Sequence, residues 1–144
     1  MTENIRLENV KVNQNAENWE DAIRVAGNLL VQCESITTEY IEKMIESINT
    51  LGPYIVLTPG FALAHATPCK AVKMSDMSIV TFDEGVSFHS DNDPVYVIIC
   101  LACTDQESHL ERLQSIAMKL MEDGMIERMH ACQSEDELYH LIND

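Results

Sequence analysis

The side chains best suited to chemistry in this chain are its histidines, and two of the five stand apart by their surroundings. His65 lies in "GPYIVLTPGFALAHATPC", residues 52–69, a stretch with no other charged or titratable group before Cys69 except Tyr54. Imidazole is the one side chain that titrates near neutral pH unperturbed, and it serves as nucleophile, base or metal ligand. Five β-prone residues (Tyr54 to Thr58) run into a Pro-Gly break, and a small-residue loop then delivers His65. Its neighbours Ala62, Ala64 and Ala66 are small enough to leave the ring reachable by another large molecule. His109 falls in the first turn of a helix expected from "TDQESHLERLQSIAMKLMEDG". It shares a face with Leu113, Ile116 and Leu120, so it should point toward the sheet, and the positive helix end there disfavours imidazolium. His89, in "FHSDNDP", reads as a surface residue, and His130 and His140, beside acids near the C-terminus, read as solvated.

Other constellations fall away. Cys100 and Cys103 form a C-x-x-C inside an apolar strand, where side chains three apart point to opposite faces. A redox pair would open a helix, and no second pair or nearby histidine supplies zinc spacing. Gly52, Gly60 and Gly85 are isolated, so no phosphate loop is expected and no nucleotide cofactor. "DNDP" at Asp91 to Pro94 lacks the glycine and distal glutamate of a calcium loop and reads as a turn before a strand. No metal site follows from any spacing.

The elements that must position these histidines alternate in period. "RLENVKV" alternates as a first strand. "NWEDAIRVAGNLLVQC" puts Trp19, Ala22, Ile23, Ala26, Leu29 and Leu30 on one helical stripe behind an Asn18 N-cap. "TTEYIEKMIESINTLG" repeats that stripe with Tyr40, Ile41, Met44, Ile45 and Ile48 and ends at Gly52. "YIVLT" and "MSIVTF" read as strands, and "DPVYVIICLAC" as a central strand covered on both faces. A helix follows with Thr104 and Glu107 spaced as a capping box and the stripe Leu110, Leu113, Ile116, Ala117 and Leu120. A last helix starts at Ser134, with Glu137 as box partner. Strands interleaved with helices predict an α/β single-domain sandwich over 1–144, a mixed central sheet of about five strands flanked by helices. His65 and His109 then converge where carboxyl ends of strands gather groups.

Composition narrows the function classes. Nine basic against twenty-four acidic side chains give a formal charge of −15, which repels nucleic acid and anionic membrane and draws in a basic protein partner. No run of eighteen apolar residues exists, so no membrane insertion is expected. The polar start "MTENIRLENV" argues against a signal peptide, and five scattered cysteines suit reduced thiols in a cytoplasm. Two imidazoles without metal spacing, nucleotide loop or obvious Ser or Cys nucleophile point to histidine as the nucleophile itself.

"GPYIVLTPGFALAHATP", followed by "VSFHSDNDPVYVIICLACTDQESHLERLQSIAMKLME", resembles the enzyme IIA components of the bacterial phosphoenolpyruvate-dependent sugar phosphotransferase system. The resemblance is to the mannitol/fructose superfamily, most closely its L-ascorbate branch, and runs from "NWEDAIRVAGNLLV" through "ACQSEDELYHLI". It implies a phosphoryl group taken on His65 from the phosphocarrier HPr and passed to a cysteine of a cognate IIB component serving a membrane IIC permease. It also makes His109 the neighbouring active-site histidine, a donor to phosphoryl oxygens, with no metal or cofactor. The chain departs from the family where its Pro-His is Ala64-His65 and where "ESINTLGPY" lacks the arginine of mannitol-type members.

Three readings stay open on the sequence: a transport component for ascorbate or a related sugar acid, a regulatory module of the same fold phosphorylated as a signal, and an acidic binding domain with structural histidines. The oligomeric state and the sugar have no signature in the chain.

Overall fold

The computed structural model describes residues 4–144, apart from the side chains of Ser108 and His109. A 3₁₀ turn, Leu7–Asn9, leads into β1 (Val10–Gln14), so the first expected strand begins later than "RLENVKV" places it. Then follow α1 (Trp19–Gln32), α2 (Thr38–Leu51), β2 (Val56–Thr58), β3 (Phe61–Ala64), β4 (Asp76–Val86), β5 (Val95–Ala102), α3 (Gln106–Leu120), α4 (Met125–Ala131) and α5 (Glu135–Asn143). No helix among the described residues is long and apolar enough to cross a membrane.

The five strands form one mixed sheet, as the sequence predicts, and their order is β1-β4-β5-β3-β2. β1 runs parallel to β4, β4 antiparallel to β5, β5 parallel to β3 and β3 antiparallel to β2. The side chains of β5 alternate between two cores. Ile98, Cys100 and Ala102 face α1 and α2, whereas Val97, Ile99, Leu101 and then Cys103 face α3, α4 and α5. Each fully buried aliphatic side chain contributes about 1.5–3 kcal/mol over leaving it in water, and this double coverage explains the unbroken apolar run.

α1 and α2 form as their stripes predict. The Asn18 side chain accepts the Asp21 amide at 2.8 Å, and Gly52 closes α2 with φ +88°. The two helices cross so closely that a Cβ on Gly27 would lie 2.7 Å from Ile41 Cγ1.

Two elements escape the periodicity. "FALA", expected as loop, is β3, and the Pro59-Gly60 break is the tight turn of the β2–β3 hairpin, with Gly60 at φ +85°. α4 is a separate short helix. α3 departs in the other direction, because its expected stripe is only partly used. Ile116 is buried and Leu113 and Leu120 are half-buried, but Leu110 and Ala117 are exposed, as are Met118 and Met121. α3 packs chiefly on α4 rather than flat on the sheet, which leaves its outer apolar side chains in water.

Candidate functional site at the carboxyl ends of β3 and β5

The parallel pair β3 and β5 ends at one edge of the sheet, with Ala64 opposite Cys100. His65 is the first residue past β3, and α3 opens at Gln106, four residues past the end of β5. The backbone of His109 is in the first turn of that helix. Topology thus brings both chain positions to the same edge, where strands of α/β sheets present groups to ligands. The ring of His109 lies outside the described residues. α3 opens one residue later than a Thr104 cap requires, and the Thr104 hydroxyl meets Ser75 Oγ and Asp105 Oδ2, each at 3.3 Å.

The imidazole of His65 is half-buried, and its Nδ1 lies 2.8 Å from the Leu63 carbonyl oxygen. A carbonyl can only accept, so Nδ1 carries a proton, and the neutral tautomer that this bond selects has its lone pair on Nε2. Tyr54 meets the ring edge-on, with centroids 5.6 Å apart at 87°, and its hydroxyl makes a long 3.4 Å contact to the His65 carbonyl. Tyr40, fully buried on α2, accepts the Ala66 amide at 2.9 Å and reaches the carbonyls of Leu101 at 2.9 Å and Ala66 at 3.1 Å. Burial pushes its phenol well above the ordinary range, so it stays protonated.

The small neighbours of His65 have a different purpose from the one expected. Ala62, Ala64 and Ala66 are all buried against the α1–α2 layer, so their size admits the helices rather than a partner. Exposure comes instead from the position of His65 beyond the strand end. Beside it, a cleft of about 450 Å³ separates the second half of α2 from the Ala66–Cys69 loop, and its lining carries Lys43 and Glu46, of opposite charge, with Ser47 between Glu46 and the loop end of the helix.

The remaining candidates sort clearly. Cys100 and Cys103 fall in opposite cores, and burial pushes the Cys100 thiol up to about 12, far from a reactive thiolate. His89 is exposed in its turn, and His140 is exposed, 3.6 Å from Asp144. His130 corrects the sequence reading. It is half-buried, with Nε2 2.9 Å from the Phe82 carbonyl and its ring 4.4 Å from that of Tyr96, because α4 lies directly on the sheet. Sequence reasoning took Tyr40 only as part of a stripe. A buried tyrosine hydroxyl must find polar partners, and that requirement was the available signal for its second role.

Residues 3–144 match the family described as "Phosphoenolpyruvate-dependent sugar phosphotransferase system, EIIA 2". The chain belongs to this enzyme IIA family. The ascorbate-specific phosphotransferase system EIIA component of Shigella boydii is 32% identical over 136 residues, covering 93% of this chain and 88% of that one. The solution structure of the mannitol-specific cryptic phosphotransferase enzyme IIA of Escherichia coli superposes with a TM-score of 0.88 at 28% identity, over 96% of this chain and 95% of the other. Enzyme IIA mannitol of Escherichia coli, solved in complex with phosphorylated enzyme IIB mannitol, gives a TM-score of 0.83 at 25% identity, over 96% of each chain. As an enzyme IIA family member this chain is a phosphotransferase component.

Proposed function

We propose that this enzyme IIA accepts a phosphoryl group from phospho-HPr on Nε2 of His65 and passes it to a cysteine of a cognate IIB component. Uptake and phosphorylation of ascorbate or a related sugar acid through a membrane IIC permease would be the result. The observation that carries the reading is the bond between His65 Nδ1 and Leu63 O, at the end of β3 beside the end of β5 that leads into the His109 helix. That bond fixes the tautomer and aims the Nε2 lone pair away from the strand.

Acceptance needs no general base. The lone pair attacks phosphorus in line as the bond from phosphorus to the HPr imidazole breaks, and HPr leaves as neutral histidine. In the onward step a IIB thiolate attacks, a sulfur–phosphorus bond replaces the nitrogen–phosphorus bond, and His65 is released neutral. His109 supplies a donor to the phosphoryl oxygens, and backbone N–H groups near His65 and the docked partner add the rest. The ascorbate assignment is supported by the ascorbate-specific relative, and a IIB partner by the complex of the mannitol protein. The acidic surface, −15 overall, steers a basic docking face.

Incubation with phosphoenolpyruvate, enzyme I and HPr tests the assignment. Wild type should acquire an acid-labile, base-stable phosphoramidate, and His65→Ala should acquire none. His109→Ala should still be labelled but transfer onward about two to three decades more slowly, for a lost contact of about 2–4 kcal/mol in the transition state. Acid-labile label on His65→Ala but not on His109→Ala would reverse the roles.

A further inference from the structure

The ladder between β3 and β5 stops where a tyrosine enters it. Val97 donates its amide to the Gly60 carbonyl at 3.1 Å, and the register then runs from Phe61 opposite Val97 to Ala64 opposite Cys100. In a parallel pair the bonds recur evenly, each strand contributing at every second residue. Followed from Gly60, that spacing assigns the Ala66 amide to the Leu101 carbonyl. The Tyr40 hydroxyl occupies the place of this bond, accepting from Ala66 N at 2.9 Å and standing 2.9 Å from Leu101 O. Its single proton also has Ala66 O within 3.1 Å, so both polar groups of Ala66 meet the same phenol. Tyr40 is wholly buried in the first turn of α2, and its oxygen has little room to move.

We propose that Tyr40 is a positioning residue for phosphoryl transfer at His65, its hydroxyl acting as a wedge that turns the chain away from β5 and fixes the backbone on which the imidazole is presented. The inference rests on the reading of His65 as phosphoryl acceptor. His65 lies between two fixed points: its ring is bonded to Leu63 O on one side, and its chain is bonded through Ala66 to Tyr40 on the other. Without the hydroxyl, the Ala66 amide has the Leu101 carbonyl as its natural partner. The ladder would then close by one more rung and draw His65 toward β5. A nucleophile displaced by about 1 Å loses on the order of 100-fold in rate while remaining chemically intact.

Tyr40→Phe keeps the ring in the core and removes only the wedge. Single-turnover phosphorylation by phospho-HPr should fall at least about tenfold in maximal rate, with the half-saturating HPr concentration within about twofold of wild type. The nitrogen-15 shifts of the His65 ring and the Ala66 amide should both move, whereas Tyr96→Phe, at the opposite ends of β3 and β5, should leave both unchanged. A rate within twofold of wild type, or unmoved His65 ring shifts, would overturn the proposal. A wild-type protein that takes no phosphoryl group would remove the reading of His65 as acceptor, and the two nitrogen-15 measurements would still decide whether the wedge exists. If Tyr40→Phe does not fold, wild-type exchange decides. A protected Ala66 amide with a cross-peak to a slowly exchanging Tyr40 hydroxyl proton is expected, and an Ala66 amide exchanging as fast as exposed loop amides would sink the wedge.

Discussion

Two histidines at opposite edges of the sheet have been given the same two kinds of neighbour, a backbone carbonyl and a tyrosine. His65, beyond the carboxyl end of β3, bonds Leu63 two residues back through Nδ1 and has Tyr54 edge-on at 5.6 Å. His130, on α4 near the amino ends of β3 and β5, bonds Phe82 forty-eight residues away through Nε2 and lies tilted on Tyr96 at 4.4 Å. A local anchor orients a ring without tying elements together, whereas a distant anchor fastens a helix to a sheet. The same residue type thus serves presentation at one edge and packing at the other, and composition alone cannot tell them apart.

The sharpest break of this contrast is a double dissociation. His65→Ala should lose all phosphoryl acceptance while changing stability by less than about 1 kcal/mol, since it removes a half-exposed ring with a local bond. His130→Ala should accept phosphate at the wild-type rate but lose about 2 kcal/mol, combining the Tyr96 ring contact with a buried Phe82 carbonyl left short of its donor. Labelling and urea unfolding on the same preparations read both outcomes. Loss of labelling in His130→Ala without unfolding would mean that the two edges are coupled.

The difference between the edges also marks what was legible in the sequence. α1 and α2 were readable because cap, stripe and stop agree, as at Asn18, the buried Ile41–Ile48 face and Gly52. β5 was readable because double coverage demands an unbroken apolar run. β3 was not, because "FALA" carries two alanines of low strand preference. Their size is set by α2 above them, a tertiary demand with no local trace. α4 has only seven residues, two buried methionines and no side-chain cap, too little for a period to show. His65 stood out through its uncharged surroundings and its family motif. Tyr40 did not, since its bonds span 26 and 61 residues and no window along the chain contains them.

A smaller effect sharpens the packing side. At the His130 edge, a Cβ on Gly85 would fall 2.3 Å from Pro94 Cβ and 3.2 Å from Tyr96 Cζ. The proline ring cannot rotate aside, so Gly85→Ala should cost about 1–3 kcal/mol through displaced backbone. Labelling of His65 should be unchanged, as measured beside the urea midpoint. An unshifted midpoint would show that this edge is looser than its contacts imply.

The subtlest distinction lies in the carboxylate that each edge holds in its charged form. Asp93, near His130, is held below the usual range although burial opposes it, because the amides of Phe88 and Ser90 and the Ser87 hydroxyl donate to it. Asp76, at the His65 edge, is likewise held low against its burial by Ser35 at 2.7 Å, Arg6 at 2.6 Å and the Met77 amide. A depressed folded-state pKa means that the charged form stabilises the fold. That contribution is complete above the ordinary carboxylate range, near pH 4, and is lost as pH falls through the depressed value. Only Asp76 relies on a cation, which joins the N-terminal segment to β4. Asp76→Asn should therefore be less stable than wild type at neutral pH, with the gap narrowing steadily in acid. Arg6→Gln should weaken the acid dependence contributed by Asp76 and leave that contributed by Asp93 intact. Urea midpoints followed from neutral pH into acid decide the matter: a constant gap between wild type and Asp76→Asn would mean that the carboxylate titrates alike in folded and unfolded chains, and that this edge is held by packing alone.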